Sequence, residues 1–200
     1  MDILKNFIVF EGLDGAGTTT QSKLLVEKIK NSVFTNEPTD RETGKLIRKC
    51  LRKEAEFSGK TLPYLFAADR AEHIYGKDGI IELCKNHIVF CDRYLFSSIA
   101  YQALENDYEL ILKLNENFPM PEAVFFINTS ITECQKRINS RGEKKELFED
   151  RALQEKILAN YIRAFEHFDD KTNIITLDGD LSIEELLVKE TEWLKKLDII

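Results

Sequence analysis

The sequence predicts an α/β fold in three layers, a five-stranded parallel sheet flanked by helices, and three observations carry that expectation. Short apolar runs alternate with longer amphipathic stretches in the manner of βαβ units. The runs are apolar at every position, as strands buried on both faces require. The first of them ends in a glycine-rich turn that opens a helix, the usual junction of a sheet covered by helices.

Phe7 to Phe10 reads as the first strand and closes in the turn Gly12 to Gly17. From Thr18 to Asn31, Leu24, Leu25 and Ile29 recur at helical spacing beside Lys23, Glu27 and Lys28. Val33 to Thr35 is a brief second strand, stopped by Glu37-Pro38, because proline pushes the residue before it out of helical geometry. Residues 41–54 and 62–86 read as helices, the second broken near Gly76 and Gly79. The third strand, Ile88 to Cys91, ends in Asp92-Arg93. Helices fit 95–104 and 107–117, Val124 to Ile127 is a central strand, and Ile131 to Ser140 is helical. Gly142 to Leu147 is polar and charge-dense, and is expected to be a mobile loop leading into a helix over 149–168. Ile174 to Leu177 is the last strand and Ser182 to Lys196 the last helix. No internal repeat or low-complexity tract breaks this order, so residues 1–200 read as a single domain.

Composition narrows the function. The longest apolar runs, such as Ala123 to Ile127, fall far short of the roughly 20 residues that span a bilayer. Phe7 to Phe10 runs into glycines without a long apolar segment or cleavage site, so a cytoplasmic, membrane-free protein is expected. With 35 acidic against 28 basic residues the formal charge is −7, which disfavours a nucleic-acid partner and requires any anionic ligand to be held by a local cluster of cations. Cys50, Cys84, Cys91 and Cys134 form no C-x-x-C pair and read as buried free thiols. His73, His87 and His167 lack metal-ligand spacing, which argues against zinc chemistry.

The segment from Gly12 to Thr19 follows a strand, precedes a helix and fits the phosphate-loop pattern G-x-x-x-x-G-K-[ST] everywhere except the lysine. Its glycines let consecutive N–H groups turn inward around a phosphate, and the helix N-terminus adds partial positive charge. Thr19 takes the hydroxyl position that would ligate Mg²⁺. Thr18 stands where the lysine would be, and a neutral hydroxyl replaces a full charge. By analogy with arginine fingers, losing such a contact costs about 10³ to 10⁵ in rate, roughly 4 to 7 kcal/mol. Either another cation substitutes, or nucleotide binds without fast turnover. Arg137, Arg141, Lys144, Lys145 and Arg151 supply candidates, and as a cluster they read as a catalytic lid over about 137–151.

With Phe10-Glu11-Gly12-Leu13-Asp14-Gly15-Ala16-Gly17, Glu37-Pro38, Phe66-Ala67-Ala68-Asp69-Arg70 and Asp92-Arg93-Tyr94 followed by Ser97-Ser98 and Ala100-Tyr101-Gln102, the chain resembles thymidylate kinases. The likeness continues more loosely through Arg141-Gly142, Phe148-Glu149 and Gln154 to Tyr161. It implies transfer of the ATP γ-phosphoryl group to dTMP, giving dTDP, on a P-loop kinase fold with a lid, with Mg²⁺ as cofactor and a homodimeric assembly. ATP would be held by Gly12, Leu13, Asp14, Gly15, Ala16, Gly17, Thr18, Thr19 and Thr20, and the metal by Thr19 and Asp92.

For dTMP, the resemblance points to Glu37, Pro38, Arg48, Phe66, Arg70, Arg93, Ser98, Tyr101 and Gln102. Phe66 and Arg70 share one helix face at i, i+4, which would let a ring stack on the base while guanidinium donors reach a carbonyl edge. A core phenylalanine and a surface arginine are the plainer alternative. Arg93, directly after a buried strand, lies where open parallel sheets place their ligands and would bridge the acceptor phosphate and the transferring group. Asp92 would orient Arg93 or hold a metal-bound water, with a helix N-cap as its alternative. Arg48 would meet the dTMP phosphate, Tyr101 the sugar, and Asp14 the acceptor sugar and a magnesium-bound water. Asn36 and Thr39 stand where bacterial members commonly carry Arg and Gly. Because Gly15 occupies the loop position that carries an arginine in some members, the lid should provide it: Arg141 first, then Arg137 and Arg151. A kinase of another deoxynucleotide or deoxynucleoside, and a nucleotide-binding regulator that lost catalysis with the lysine, are the competing readings.

Overall fold

The computed structural model describes residues 2–140 and 146–200. Among them, β1 (Ile3–Gly12), β2 (Ser32–Asn36), β3 (Ile88–Asp92), β4 (Met120–Asn128) and β5 (Asn173–Asp178) form one parallel sheet in the order β2-β3-β1-β4-β5. β1 is central because it can afford no polar face: Phe7, Ile8, Val9 and Phe10 are all fully buried. Its first residues, read as flanking chain from the sequence, also pair with β4. The register slips between Leu4 and Ile8, where Asn6 takes a left-handed φ of 62°.

The helices are α1 (Thr18–Lys28), α2 (Glu42–Leu51), α3 (Leu62–Tyr75), α4 (Ile80–Leu83), α5 (Leu95–Gln102), α6 (Tyr108–Asn115), α7 (Ile131–Ser140), α8 (Arg151–Phe168) and α9 (Ile183–Lys196). The break expected near Gly76 and Gly79 separates α3 from α4. α8 starts at Arg151 because Asp150 caps it, accepting from the Ala152 N–H. Ser182 and Glu185 close a reciprocal capping box at α9. α1 packs on β1, β2 and β3 and against α9, while α5 packs on β1 with α3, α6 and α8. α8 docks through rings: Phe165 meets Phe126 of β4 at 4.8 Å and Phe96 of α5 at 5.4 Å. All four cysteines are free and buried. No described helix is long and apolar enough to cross a membrane.

One core position is out of keeping with its neighbours. Leu186, Glu190 and Leu194 form the buried stripe of α9, and Glu190 is 0% exposed with neither carboxylate oxygen hydrogen-bonded among the described residues. Burial alone pushes its carboxyl up to about 8. The folded chain therefore holds a proton that the unfolded chain releases above about pH 4.5, so this site destabilises the fold progressively as pH rises from about 5 to 8. Glu190→Leu is expected to complete the apolar stripe and raise the melting temperature by several degrees, corresponding to about 1 to 3 kcal/mol. The gain should be larger at pH 8 than at pH 5; a pH-independent gain in thermal denaturation would contradict the account.

Candidate active site

β1 delivers the phosphate loop to the carboxyl edge of the sheet, and the loop's geometry follows from two glycines. Gly15 and Gly17 take φ of 88° and 103°, which side-chain-bearing residues rarely adopt. A Cβ on Gly15 would also lie 2.7 Å from the Cys134 carbonyl oxygen of α7, so position 15 has no place for an arginine. Gly17 is the N-cap of α1 and offers no side-chain acceptor, which leaves the N–H groups of the first turn to a ligand. Leu13 and Ala16 point into the core at 2% and 1% exposure, and the Ala16 N–H donates to the Leu13 carbonyl, so Ala16 shapes the loop rather than offering a donor. Thr18 is buried and Thr20 exposed.

The Thr19 hydroxyl donates to Asp92 Oδ2, while Asp92 Oδ1 is buried with no hydrogen-bond partner among the described residues. A hydroxyl and a carboxylate brought together with a free, desolvated oxygen fit a hydrated Mg²⁺, which takes oxygen ligands and keeps several of its waters. The N-cap alternative for Asp92 falls, because Tyr94 holds that position at α5. Tyr94 itself packs edge-on to Phe7 and donates its hydroxyl to the Pro119 carbonyl.

Arg93 reaches back under the loop. Its Nη2 donates to Asp14 Oδ1 at 2.7 Å, and its Nη1 donates to the Gly12 carbonyl at 3.0 Å, Ser97 Oγ at 3.1 Å and the Tyr161 hydroxyl at 3.3 Å. A left-handed φ of 70° at Arg93 itself directs the side chain there. Behind it, the carboxylate of Glu11 is 0% exposed and burial pushes it up to about 7, against the opposing pull of Ser97, Arg93, Tyr161 and the Tyr94 N–H.

A cleft of about 320 Å³ opens from Asp14, Thr19, Asp92 and Arg93. Its walls include Glu37, Pro38, Arg48, Phe66, Arg70, Ser98, Tyr101 and Gln102, so the acceptor residues expected from sequence converge on one space. Arg70 is neither a surface charge nor a free donor. At 1% exposure it donates to Glu37 Oε2 at 2.6 Å, to Ser98 Oγ at 3.0 Å and to Asn115 Oδ1, beneath the Tyr94 ring. Its Nε finds no partner among the described residues. Glu37 Oε1 faces His73 Nδ1 at 3.1 Å, and His73 Nε2 meets Thr35 Oγ1 at 2.6 Å. Arg48 bonds the Pro38 carbonyl and lies 3.4 Å from Asp40. Phe148 closes one side of the cleft edge-on to Tyr101.

Of the basic cluster of the expected lid, the described residues are Arg137 and Arg151, which lie on different helices. Arg137 is a helical residue of α7; its guanidinium donates to the carbonyls of Ala16 at 3.1 Å and Gly179 at 3.3 Å and pairs with Glu133. Arg151 is the first residue of α8 and lies 3.6 Å from Glu155. Arg141, with Gly142, Lys144 and Lys145, lies outside the described residues. Glu11, Ser97, Tyr161, His73 and Asn115 carry much of the site's hydrogen bonding and were not singled out from sequence. Glu11 carries a local signal, a charged residue directly between an apolar strand and a glycine loop, and Ser97 and Tyr161 stand in the matching motifs without an indicated role.

The model of the thymidylate kinase family matches residues 10–189. A putative thymidylate kinase of Treponema pallidum is 44% identical over 191 residues, covering 92% of each chain. A probable thymidylate kinase of Methanococcus aeolicus is 38% identical over 198 residues, covering 97% of this chain and 96% of its own. Among solved structures, thymidylate kinase from Candida albicans superposes with a TM-score of 0.84 over 98% of this chain and 91% of its own, at 24% identity. The Ehrlichia chaffeensis enzyme gives 0.69 over 94% and 97%, at 27% identity.

Gly15→Ala should force the loop away from α7 in a strained backbone, a cost of about 1 to 2 kcal/mol before any clash is counted. A lower melting temperature and at least about tenfold weaker ADP binding by titration are expected. Unchanged ADP affinity would show that the loop does not depend on its approach to Cys134.

Proposed function

The chain belongs to the thymidylate kinase family and transfers the γ-phosphoryl group of ATP to dTMP, and from that premise we propose how its residues divide the work. The observation that carries the assignment is the single cleft joining Asp14, Thr19 and Arg93 at one end to Phe66, Arg70, Ser98 and Gln102 at the other. A donor phosphate and a flat base are the two ends of such a site.

The backbone of Gly12 to Thr20 cradles the ATP phosphates, with N–H groups of the loop and of the first turn turned to them and the α1 terminus adding its dipole, while the Ala16 N–H closes the loop's own turn on the Leu13 carbonyl. Thr19 and Asp92 would hold Mg²⁺. When bound there, the ion would supply charge neutralisation at the phosphate oxygens. The thymine ring stacks on Phe66, while Arg70, Ser98 and Gln102 line its polar edge and Glu37 fixes Arg70. Tyr101 lies against the sugar, where a 2′-hydroxyl would be excluded by its ring. Arg48, beside Pro38, takes the dTMP phosphate. Arg93 then exchanges part of its Asp14 contact for the acceptor phosphate and the transferring group. A phosphate acceptor is already ionised near neutral pH, so positioning and charge stabilisation suffice without a general base.

The single domain carries a lid over about 137–151, and the cation that offsets Thr18 comes from it. Arg141 is the first choice, then Arg137 and Arg151; the space refused at Gly15 supports a source outside the loop. A cytoplasmic homodimer completes the reading, the homodimer resting on the family resemblance.

A coupled assay with dTMP, dUMP, dCMP and thymidine tests the substrate: dTMP should give the highest kcat/KM, and a preference for another acceptor would move the assignment to that kinase. dTMP and ATP binding without dTDP formation would favour a regulator. Arg93→Ala is expected to lower kcat by about 10² to 10³. Thr18→Lys should raise kcat by less than about tenfold, because a lid arginine already supplies the charge; a gain of about 10³ or more would show that nothing replaces the lysine. Full turnover in Arg141→Ala, Arg137→Ala and Arg151→Ala would sink the lid assignment.

A further inference from the structure

Glu11 has no route to substrate. It sits at the end of β1 with no exposed surface, and four donors close on it: the N–H groups of Tyr94 at 2.9 Å and Ser97 at 3.2 Å on Oε1, and the hydroxyls of Ser97 at 2.5 Å and Tyr161 at 2.9 Å on Oε2. The same two hydroxyls are acceptors for Arg93 Nη1, at 3.1 and 3.3 Å. They also lie 2.8 Å from each other, and the Gly12 carbonyl, at 3.2 Å, is a longer second acceptor for the Tyr161 hydroxyl than Glu11 Oε2.

A serine or tyrosine hydroxyl has one proton and can direct it only one way at a time. When the Glu11 carboxylate draws both protons to Oε2, both oxygens present lone pairs to the guanidinium. We propose that Glu11 is a positioning residue for the phosphoryl-transfer arginine: its carboxylate orients Ser97 and Tyr161 so that they fix Arg93 beside Asp14. The arrangement holds Arg93 from behind and leaves the Nη2 side turned toward the phosphate loop. It also joins two parts of the chain that the chemistry must bring together. Tyr161 lies on α8, the helix that begins where the lid ends, and on the same helix Gln154 donates to the Asp14 carbonyl at 3.0 Å.

This inference rests on Arg93 acting at the phosphoryl groups, and the test separates the two. Glu11→Gln keeps the side chain's shape but puts an amide donor against hydroxyl or N–H donors. Tyr161→Phe removes one oxygen and leaves the ring packed on Phe126 and Phe165, so it carries the test if Glu11→Gln does not fold. Each is made in wild type and in Arg93→Lys, whose shorter, non-planar head cannot reproduce the paired contacts. In wild type, Glu11→Gln is expected to lower kcat by about 10- to 100-fold and Tyr161→Phe by about 5- to 20-fold, with KM for dTMP and for ATP changed less than about threefold. In Arg93→Lys each factor should shrink to about twofold or less, because the group being positioned is gone. Equal factors in both backgrounds, or KM rising with kcat preserved, would overturn the positioning role and leave Glu11 a structural residue. Full kcat in Arg93→Lys alone would instead remove the catalytic assignment of Arg93, and this proposal with it.

Discussion

A carboxylate without water at the end of the central strand is the constraint on which the site is built. Removing an ionised group from solvent costs several kcal/mol unless donors replace the water, and a single missing partner leaves most of that cost uncompensated. At Glu11 the donors offset that cost only in part, since burial still pushes its carboxyl up to about 7, and they do so only if α5 begins where it does, presenting two N–H groups, and if α8 lies close enough for Tyr161 to reach it. The ring contacts of Phe165 with Phe96 and Phe126 bring α8 to that distance. Apolar packing thus sets the helix position, and the buried charge selects one rotation of it. Arg93 completes the group by bringing positive charge against the far side of the same hydroxyls.

A second buried ion sits at the other end of the cleft and obeys the same rule. Arg70 is more deeply buried than an arginine tolerates alone, and it is matched by Glu37, Ser98 and Asn115. Glu37 is in turn held by His73, which leans on Thr35 of β2. Asp69, one residue before Arg70, accepts from the Thr39 backbone and from the hydroxyls of Thr39 and Thr43, fixing the turn that follows Pro38. Thr39 therefore ties the turn after Pro38 to α3.

These two networks mark the boundary of what the sequence discloses. Apolar runs announce buried strands, glycine spacing announces the loop, and an i, i+4 pair announces that Phe66 and Arg70 share a face, because each signal is local. Depth is not local. Periodicity placed Arg70 on the correct face yet left it a free donor, since the residues that consume its hydrogen bonds lie 28 to 45 positions away. Tyr161 is 150 residues from Glu11, and nothing near either position reports the bond between them. The early part of β1 was missed for a different reason: Lys5 and Asn6 interrupt the apolar run, and the left-handed turn at Asn6 is what allows the strand to continue past them.

Charge distribution gives the missing lysine its physical setting. In a chain of net charge −7, the described cations around the cleft already meet oxygen: Arg93 has Asp14, Arg48 has the Pro38 carbonyl and Asp40, and Arg137 has Glu133 and the loop carbonyls. A substrate phosphate must therefore compete with carboxylates for these donors, and a dianion offering bidentate contacts to a planar guanidinium is equipped to do so. Arg137 is the least available of them, because withdrawing it would leave the carbonyls of Ala16 and Gly179 without their donor. Arg93 is the most available, because Ser97, Tyr161 and Gly12 hold it in place when Asp14 lets go. Arg93 is thus fixed before substrate arrives, and the cation proposed to offset Thr18 adds to it from the lid side. Such a fixed donor stabilises developing charge without the reorganisation that a flexible lysine would undergo.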